Sequence, residues 1–286
     1  MRECLSRLET AWSGTAAALA FARLRQLIAL LAHPTLAQMD TLPAAERDRL
    51  NREHFAGHPA LARLSRYLDR PGALLLGFDP AGDGRVIVAF GDPDHSRNIA
   101  TYVPGAGAAL DSVSGELDRA AMLRERAGPD TSVIMWLGYD APDSVDAASA
   151  RAARDAADPL RSFQAGLVAN HDGEIGQHTV IGHSYGSVVV GRAHPLPADD
   201  IVALGSPGMT VSHAAQLRDP AQVWAATARN DWIGLLPDFL LGRDPDHPSF
   251  GARTLPTAPL GHSGYLDPAS PTLNALARLI STGEPH

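Results

Sequence analysis

Lysine is absent from this chain of 286 residues, and cysteine is almost absent. All 24 basic residues are arginines, a bias that we attribute to genome composition rather than to function. The single cysteine, Cys4, excludes a disulfide bond within the chain, and the sequence places no base near it that would activate its thiol. We therefore assign no role to cysteine chemistry.

Long apolar runs and a positive net charge are also missing. No run approaches the ~18 apolar residues that are needed to cross a bilayer, and the N-terminal residues lack the apolar centre of a signal peptide. The net charge is −8, whereas a nucleic-acid-binding domain usually presents a basic face. We expect a soluble cytoplasmic protein with no transmembrane segment and no nucleic-acid partner; the oligomeric state stays open.

The chain is rich enough in apolar residues, at 45%, to bury a large core, and its pattern changes near residue 70. Before that point apolar residues recur at helical spacing, as in Leu61, Leu64 and Leu68, and Pro71 and Gly72 close the segment. The sequence predicts an N-terminal helical segment at residues 1–70 and a main domain at residues 71–286.

In the main domain, short apolar runs alternate with helix-sized segments. The predicted strands are residues 74–78, 85–90, 98–103, 132–137, 179–182, 200–204, 222–228 and a short one near 253–255. The predicted helical segments are residues 108–126, about 145–170, 185–193 and 272–281. Residues 79–84 read as a hairpin loop, and the later alternation predicts a mostly parallel eight-stranded sheet flanked by helices. This α/β arrangement is that of the α/β-hydrolase fold.

A Gly-x-Ser-x-Gly pattern lies between a predicted strand and a predicted helix, at Gly182, His183, Ser184, Tyr185 and Gly186. A serine at such a sharp strand-to-helix turn is pushed clear of the sheet, and the two glycines avoid collisions with neighbouring backbone. The sequence therefore predicts Ser184 as the nucleophile of a serine hydrolase.

A serine nucleophile needs a base and an orienting acid, which follow it in this fold in the order acid, then histidine. His262 lies between the last short strand and the last helix, and His247 is the alternative base. Asp231 follows the seventh strand, where an aspartate also suits a helix N-cap. Asp238 and Asp244 are the alternative acids.

The oxyanion formed during acyl transfer needs two backbone N–H donors. One is predicted at Tyr185, directly after the nucleophile, and the other in the loop after the third strand. We predict Ala106 for this second donor, with Gly105 and Gly107 as alternatives.

Four segments of the chain resemble an actinobacterial α/β-hydrolase family of unknown function. They are residues 180–187, 204–208, 227–231 and 261–265, the last reading Gly-His-Ser-Gly-Tyr. The resemblance covers most of residues 74–280 and implies the same three residues, Ser184, Asp231 and His262. Members of that family are described as esterases or lipases, and the resemblance implies no defined substrate.

Members of the same family often carry an N-terminal helical segment similar to the W-x-G hairpins of type VII secretion substrates. Trp12, Ser13 and Gly14 lie between two predicted helical stretches, as such a turn would. The resemblance therefore adds secretion by a non-classical route as an alternative to the cytoplasm.

The predicted function is hydrolysis of a small-molecule or lipid-like carboxylic ester through an acyl-enzyme, without cofactor or metal, because no metal-binding motif is present. Trp232, Leu236 and Phe239 are predicted to line an apolar substrate pocket. A thioesterase, amidase or acyltransferase would use the same three residues, and a binding or scaffold protein with an idle triad is the alternative from another class.

Overall fold

The computed structural model describes residues 39–144, 150–219, 222–235 and 241–286. The W-x-G pattern at residues 12–14 lies outside these ranges. So do two of the predicted pocket residues, Leu236 and Phe239, and the alternative acid Asp238.

The described residues form eight strands and seven α-helices. The strands are β1 Ala73–Asp79, β2 Arg85–Phe90, β3 Asn98–Val103, β4 Thr131–Leu137, β5 Gln177–His183, β6 Asp200–Leu204, β7 Val223–Ala226 and β8 Arg253–Thr254. The helices are α1 Ala44–His54, α2 Pro59–Arg63, α3 Ser65–Leu68, α4 Ser114–Ala127, α5 Ala150–Asn170, α6 Tyr185–Arg192 and α7 Pro271–Thr282.

All eight strands join one sheet in the order β1-β2-β4-β3-β5-β6-β7-β8. The pairs β1–β2 and β2–β4 are antiparallel, and every later pair is parallel. The predicted hairpin and the predicted mostly parallel sheet are both confirmed. Because β3, β5, β6, β7 and β8 run parallel, the loops at their carboxyl ends meet at one edge of the sheet.

The centre of the sheet is buried on both faces. Every residue of β3 and β4 is buried, as are six of the seven residues of β5. Helices α4 and α7 pack on each other and on the sheet, and so do α5 and α6. Such burial explains why these strands read as continuous apolar runs rather than as alternating patterns.

The described N-terminal helices cover the outer edge of β1. Arg47 donates to the Leu76 carbonyl at 2.9 Å, and Asn51 donates to the Leu75 carbonyl at 2.9 Å. These side chains give hydrogen-bond partners to an edge strand that would otherwise present unpaired carbonyls. Tyr67 and Leu68 belong to the same buried core as the sheet, and the domain boundary at residue 70 stays a prediction.

Three predicted boundaries need correction. The strand predicted at residues 222–228 spans only Val223–Ala226, since the Ala228 N–H donates to a side chain, the Tyr265 hydroxyl. The helix predicted from residue 108 begins at Ser114, because residues 106–112 are held in turns by bonds such as Ser112 Oγ to the Gly107 carbonyl. The helix marked by Leu61, Leu64 and Leu68 is two short helices that meet at Leu64.

Candidate active site

Ser184 lies at the turn between β5 and α6 with a backbone φ of 52° and ψ of −128°. This positive φ is strained for a residue with a side chain. A β-carbon at Gly182 would lie 2.4 Å from Ser187 Cα, and one at Gly186 would lie 2.1 Å from the Val103 carbonyl oxygen. Both glycines are therefore required by the close approach of backbone, as the sequence predicts.

A set of buried serines supports the turn from below. Ser187 Oγ donates to the Ser184 carbonyl at 2.6 Å and lies 2.6 Å from Ser206 Oγ. Ser206 Oγ accepts from the Gly208 N–H at 3.0 Å. Ser187 and Ser206 lie in segments that carry the family resemblance, but their bonds to each other were not predicted. They fix the strained backbone of Ser184 through hydrogen bonds rather than through apolar packing.

His262 joins Ser184 to Asp231. Its Nε2 lies 2.8 Å from Ser184 Oγ, and its Nδ1 lies 3.0 and 2.9 Å from the two carboxylate oxygens of Asp231. The carboxylate can accept only from Nδ1–H, so Nε2 is left to accept the serine proton. The structure thus brings together the three residues that the sequence predicts for the site.

Asp231 is buried and surrounded by donors. Besides His262, its carboxylate accepts from the Tyr265 hydroxyl at 2.5 Å and from the Ile233 N–H at 2.9 Å. Burial raises the pKa of Asp231, but the bonds from His262, Tyr265 and Ile233 outweigh it and hold the pKa below its ordinary value. The bond to Ile233 also caps the 3-10 helix Trp232–Leu235, so Asp231 serves the capping role as well.

The loop that carries His262 is held by two side chains that the sequence reasoning missed. The Asn230 amide donates to the Pro259 carbonyl and accepts from the Gly261 N–H, each at 3.1 Å. His183 Nε2 donates to the His262 carbonyl at 2.8 Å. Burial lowers the pKa of His183, although the bond to the His262 carbonyl acts in the opposite direction. The position of Asn230 directly before the predicted acid was the signal that could have revealed its role.

The alternative candidates have other partners. His247 Nδ1 pairs with Ser249 Oγ at 2.7 Å, and Asp244 accepts from the Asp246 N–H at 2.9 Å. His247 is not hydrogen-bonded to Ser184 or Asp231 within the described ranges. Both side chains stabilise turns in residues 241–250, a role consistent with their loop positions.

The backbone N–H of Tyr185 lies at the start of α6, directly after Ser184. On the other side, Gly105 packs against the serine so closely that a β-carbon there would lie 3.1 Å from Ser184 Oγ. The Gly107 N–H donates to the Pro142 carbonyl at 2.8 Å, which removes Gly107 as an alternative donor. The Ala106 N–H makes no hydrogen bond within the part of the chain that the structure describes.

An exposed aromatic side chain lies beside His262. Trp232 is 45% exposed, and its ring centre lies 5.2 Å from that of His262. Leu235 and Leu260, which flank the same loops in sequence, are 85% and 41% exposed. No group of three or more His, Cys, Asp or Glu side chains in residues 39–144, 150–219, 222–235 and 241–286 is arranged to hold a metal ion. Among those residues no helix is long and apolar enough to cross a membrane.

The strand order and the turn between β5 and α6 define an α/β-hydrolase. The chain belongs to the alpha/beta hydrolase family, whose model matches residues 79–240. This membership supports hydrolase activity.

Two curated relatives come from mycobacteria, as the sequence resemblance implies. Uncharacterized proteins of Mycobacterium tuberculosis and Mycobacterium bovis are each 36% identical over 189 residues, which cover 59% of this chain and 71% of the relative. Another uncharacterized protein of M. tuberculosis is 36% identical over 181 residues, but these cover only 27% of its length.

The chain is also similar, at low identity, to solved structures of esterases. Esterase LipW from Mycobacterium marinum is 16% identical with a TM-score of 0.48, covering 85% of this chain and 90% of its own. A Pyrobaculum calidifontis esterase is 17% identical with a TM-score of 0.46, covering 87% and 98%.

Proposed function

We propose that this protein is a serine esterase that cleaves carboxylic esters through an acyl-enzyme, with Ser184 as nucleophile, His262 as base and Asp231 as orienting acid. The observation that carries the proposal is the unbroken hydrogen-bond chain from Ser184 Oγ through His262 to the Asp231 carboxylate. A serine hydroxyl is a weak nucleophile on its own, and this arrangement is the one that activates it.

In the first half of the reaction, Ser184 Oγ attacks the ester carbonyl while His262 Nε2 takes its proton. The oxyanion that forms is stabilised by the N–H groups of Tyr185 and Ala106. His262 then returns the proton to the departing alkoxide, the C–O bond breaks, and an alcohol leaves. Asp231 holds the imidazole in the required tautomer and stabilises its protonated form.

In the second half, water attacks the acyl group on Ser184. His262 takes a proton from the water and returns it to Ser184 Oγ as the bond between Oγ and the acyl carbon breaks, which releases a carboxylic acid and restores free Ser184. The same base therefore acts twice, and the cycle consumes only ester and water.

We assign the substrate an apolar acyl or alkyl group. Trp232, half-exposed beside His262, offers a flat apolar wall at the entrance, and exposed Leu235 and Leu260 extend that surface. The roles of Leu236 and Phe239 in substrate binding stay predictions from the sequence. Exposed apolar side chains at a site entrance are stabilised when an apolar group covers them.

Hydrolysis of p-nitrophenyl esters from acetate to dodecanoate tests both parts of the proposal. Ser184→Ala should lower kcat by about 10⁴-fold or more, and Asp231→Asn by about 10³ to 10⁴-fold. Ser96→Ala, on a loop after β2, is the matched control and should retain full activity.

Substitution of Trp232 tests the substrate class separately. Trp232→Ala should raise KM more for octanoate than for acetate, since only the longer chain reaches the apolar wall. An equal effect on all chain lengths would contradict the pocket. Full activity of Ser184→Ala would contradict the esterase mechanism itself, and faster turnover of thioester or amide analogues would redirect the proposal to those substrates.

A further inference from the structure

The phenol of Tyr265 contacts the candidate acid at the carboxylate oxygen Oδ2, which also lies 2.9 Å from His262 Nδ1. Its hydroxyl donates to Asp231 Oδ2 at 2.5 Å and accepts from the Ala228 N–H at 2.9 Å. Tyr265 is only 3% exposed, so water does not compete for either bond. The hydrogen-bond chain of the site therefore continues from Asp231 to Tyr265 and ends on the main chain at Ala228, just after β7.

The backbone leaves room for this phenol at one glycine. Gly205 has a φ of +51°, and a β-carbon there would lie 2.8 Å from Tyr265 Cε2 and 2.9 Å from Asp231 Oδ2. Any larger residue would separate the phenol from the carboxylate or displace both. The contact between Tyr265 and Asp231 thus depends on a glycine from a third loop, the one after β6.

The charges around Tyr265 favour a neutral phenol that donates. Burial, followed by the bond to Asp231, raises the pKa of Tyr265 well above its ordinary value of 10.0, and the carboxylate of Asp246 acts in the same direction. The His183 ring lies 6.0 Å from the Tyr265 ring and faces Glu116 and Arg119 of α4. A phenol that stays neutral can donate its O–H to the Asp231 carboxylate over the whole pH range in which a hydrolase works.

We propose that Tyr265 is a fourth, positioning member of the catalytic arrangement, which orients the Asp231 carboxylate and limits how strongly it holds protonated His262. The inference rests on the proposed function. Asp231 must present a carboxylate oxygen to His262 in every turnover, and the Tyr265 hydroxyl fixes the orientation of that carboxylate by donating to Oδ2. A hydrogen bond to a charged acceptor is strong enough for its loss to change the rate.

Tyr265→Phe removes the hydroxyl and keeps the ring. We expect kcat for p-nitrophenyl butyrate to fall about tenfold while KM changes less than twofold. The acid limb of the kcat/KM profile should move to higher pH by about 0.5 to 1 unit, because the unshielded carboxylate holds protonated imidazole more strongly. Tyr67→Phe is the matched control, since Tyr67 is equally buried and donates to the Ser114 carbonyl at 2.8 Å far from the site.

The position of the acid limb separates this role from a structural one. A Tyr265→Phe protein that is folded and retains the wild-type kcat and acid limb overturns the inference. A rate loss with an unmoved acid limb also overturns it, because mere loosening of the fold does not change the charge balance at His262. A wild-type protein that hydrolyses no ester, and whose Ser184 does not react with a fluorophosphonate, would instead contradict the proposed function.

Site-specific replacement of Tyr265 by 3,5-difluorotyrosine keeps the test decisive if Tyr265→Phe does not fold. The fluorinated phenol is nearly the same size but a stronger donor. It should draw charge from Asp231 and move the acid limb to lower pH, opposite to the effect of phenylalanine. An acid limb that does not move overturns the inference.

Discussion

Gly105 and Ser184 are in such close contact that no side chain fits between them: a β-carbon on Gly105 would lie 2.6 Å from Ser184 Cβ. The loop after β3 and the turn after β5 are thus packed backbone against side chain. This contact places the loop that carries Ala106 against the serine, and it makes the alignment of the two loops sensitive to a single methyl group.

The Gly105→Ala substitution should therefore damage catalysis more than stability. We expect kcat to fall by on the order of 10² or more, because the new methyl must displace the serine or the donor loop. Gly115→Ala in α4 is the control, since a β-carbon there meets nothing closer than 3.9 Å. Steady-state ester hydrolysis, with thermal unfolding of both variants, measures the difference. Wild-type kcat in Gly105→Ala would show that the contact is not tight in solution.

Asn230 should be needed for the position of His262 rather than for folding. Asn230→Ala removes two hydrogen bonds to the loop that carries the base, so we expect kcat to fall about tenfold or more while the free energy of unfolding drops by only about 1 kcal/mol. Asn274→Ala on α7 is the control for loss of a surface amide, since Asn274 also accepts a side-chain bond there. Kinetics and urea unfolding on the same preparations test this. Loss of activity only in proportion to loss of fold would contradict a positioning role.

Arg47 should be essential to the edge of the sheet. It is 2% exposed and pairs with Asp40 at 3.0 Å. Arg47→Met leaves a buried carboxylate without its partner, so the free energy of unfolding should fall by about 3 to 5 kcal/mol. Arg49→Met, which removes exposed ion pairs from the same helix, should cost less than about 1 kcal/mol. Urea unfolding measures the free energy of unfolding of both variants. Equal losses would show that the buried ion pair of Arg47 stabilises the fold no more than the exposed ones of Arg49.

Asp200 should make the protein more stable in acid than at neutral pH. Burial raises the pKa of Asp200 to about 6, although the Trp224 indole donates to it at 2.7 Å. Because this folded-state value lies above the ordinary 3.8, its contribution to stability is present below pH 3.8 and is lost as the pH rises through 6. The loss amounts to no more than about 3 kcal/mol.

Asp200→Asn removes the ionisation and keeps an amide oxygen that can accept from Trp224, while the loss of the bond from Gln177 Nε2 to Oδ2 adds a cost that does not depend on the ionisation of residue 200. The gain in unfolding free energy over the wild type should be larger at pH 8 than at pH 4. Urea unfolding at pH 4, 6 and 8 measures it. The variant must be compared with the wild type at each pH, because His178 changes the stability of both proteins. Burial lowers the pKa of His178 to about 4, so its contribution to stability is lost as the pH falls from 6.5 to 4, which is the opposite trend. A difference that does not change with pH would show that Asp200 ionises normally.

The sequence predicts the sheet because buried parallel strands leave a clear signal. Continuous apolar runs such as residues 98–103 and 132–137 have one good structural solution, and the position of Ser184 follows from glycine spacing. Asp231 and His262 follow from chain order in this fold. Each of these predictions rests on a rule that acts locally or through topology.

The supporting contacts could not be predicted in the same way. Tyr265, Asn230 and His183 each act through one or two hydrogen bonds between segments that are distant in sequence, and no periodicity marks such pairs. The choice between Ala106 and Gly107 as a donor also depended on the bond from the Gly107 N–H to Pro142, which only the folded loop reveals. Polar details of this kind are set by tertiary geometry rather than by pattern.

The central claim is that Ser184 is an activated nucleophile, and reaction with a fluorophosphonate followed by intact-mass and peptide mapping tests it most directly. We predict one phosphonyl adduct per chain on the peptide that contains Ser184, at least 10³-fold slower in His262→Ala and absent in Ser184→Ala. No adduct on the folded wild-type protein, or an adduct on a different serine, would contradict the account.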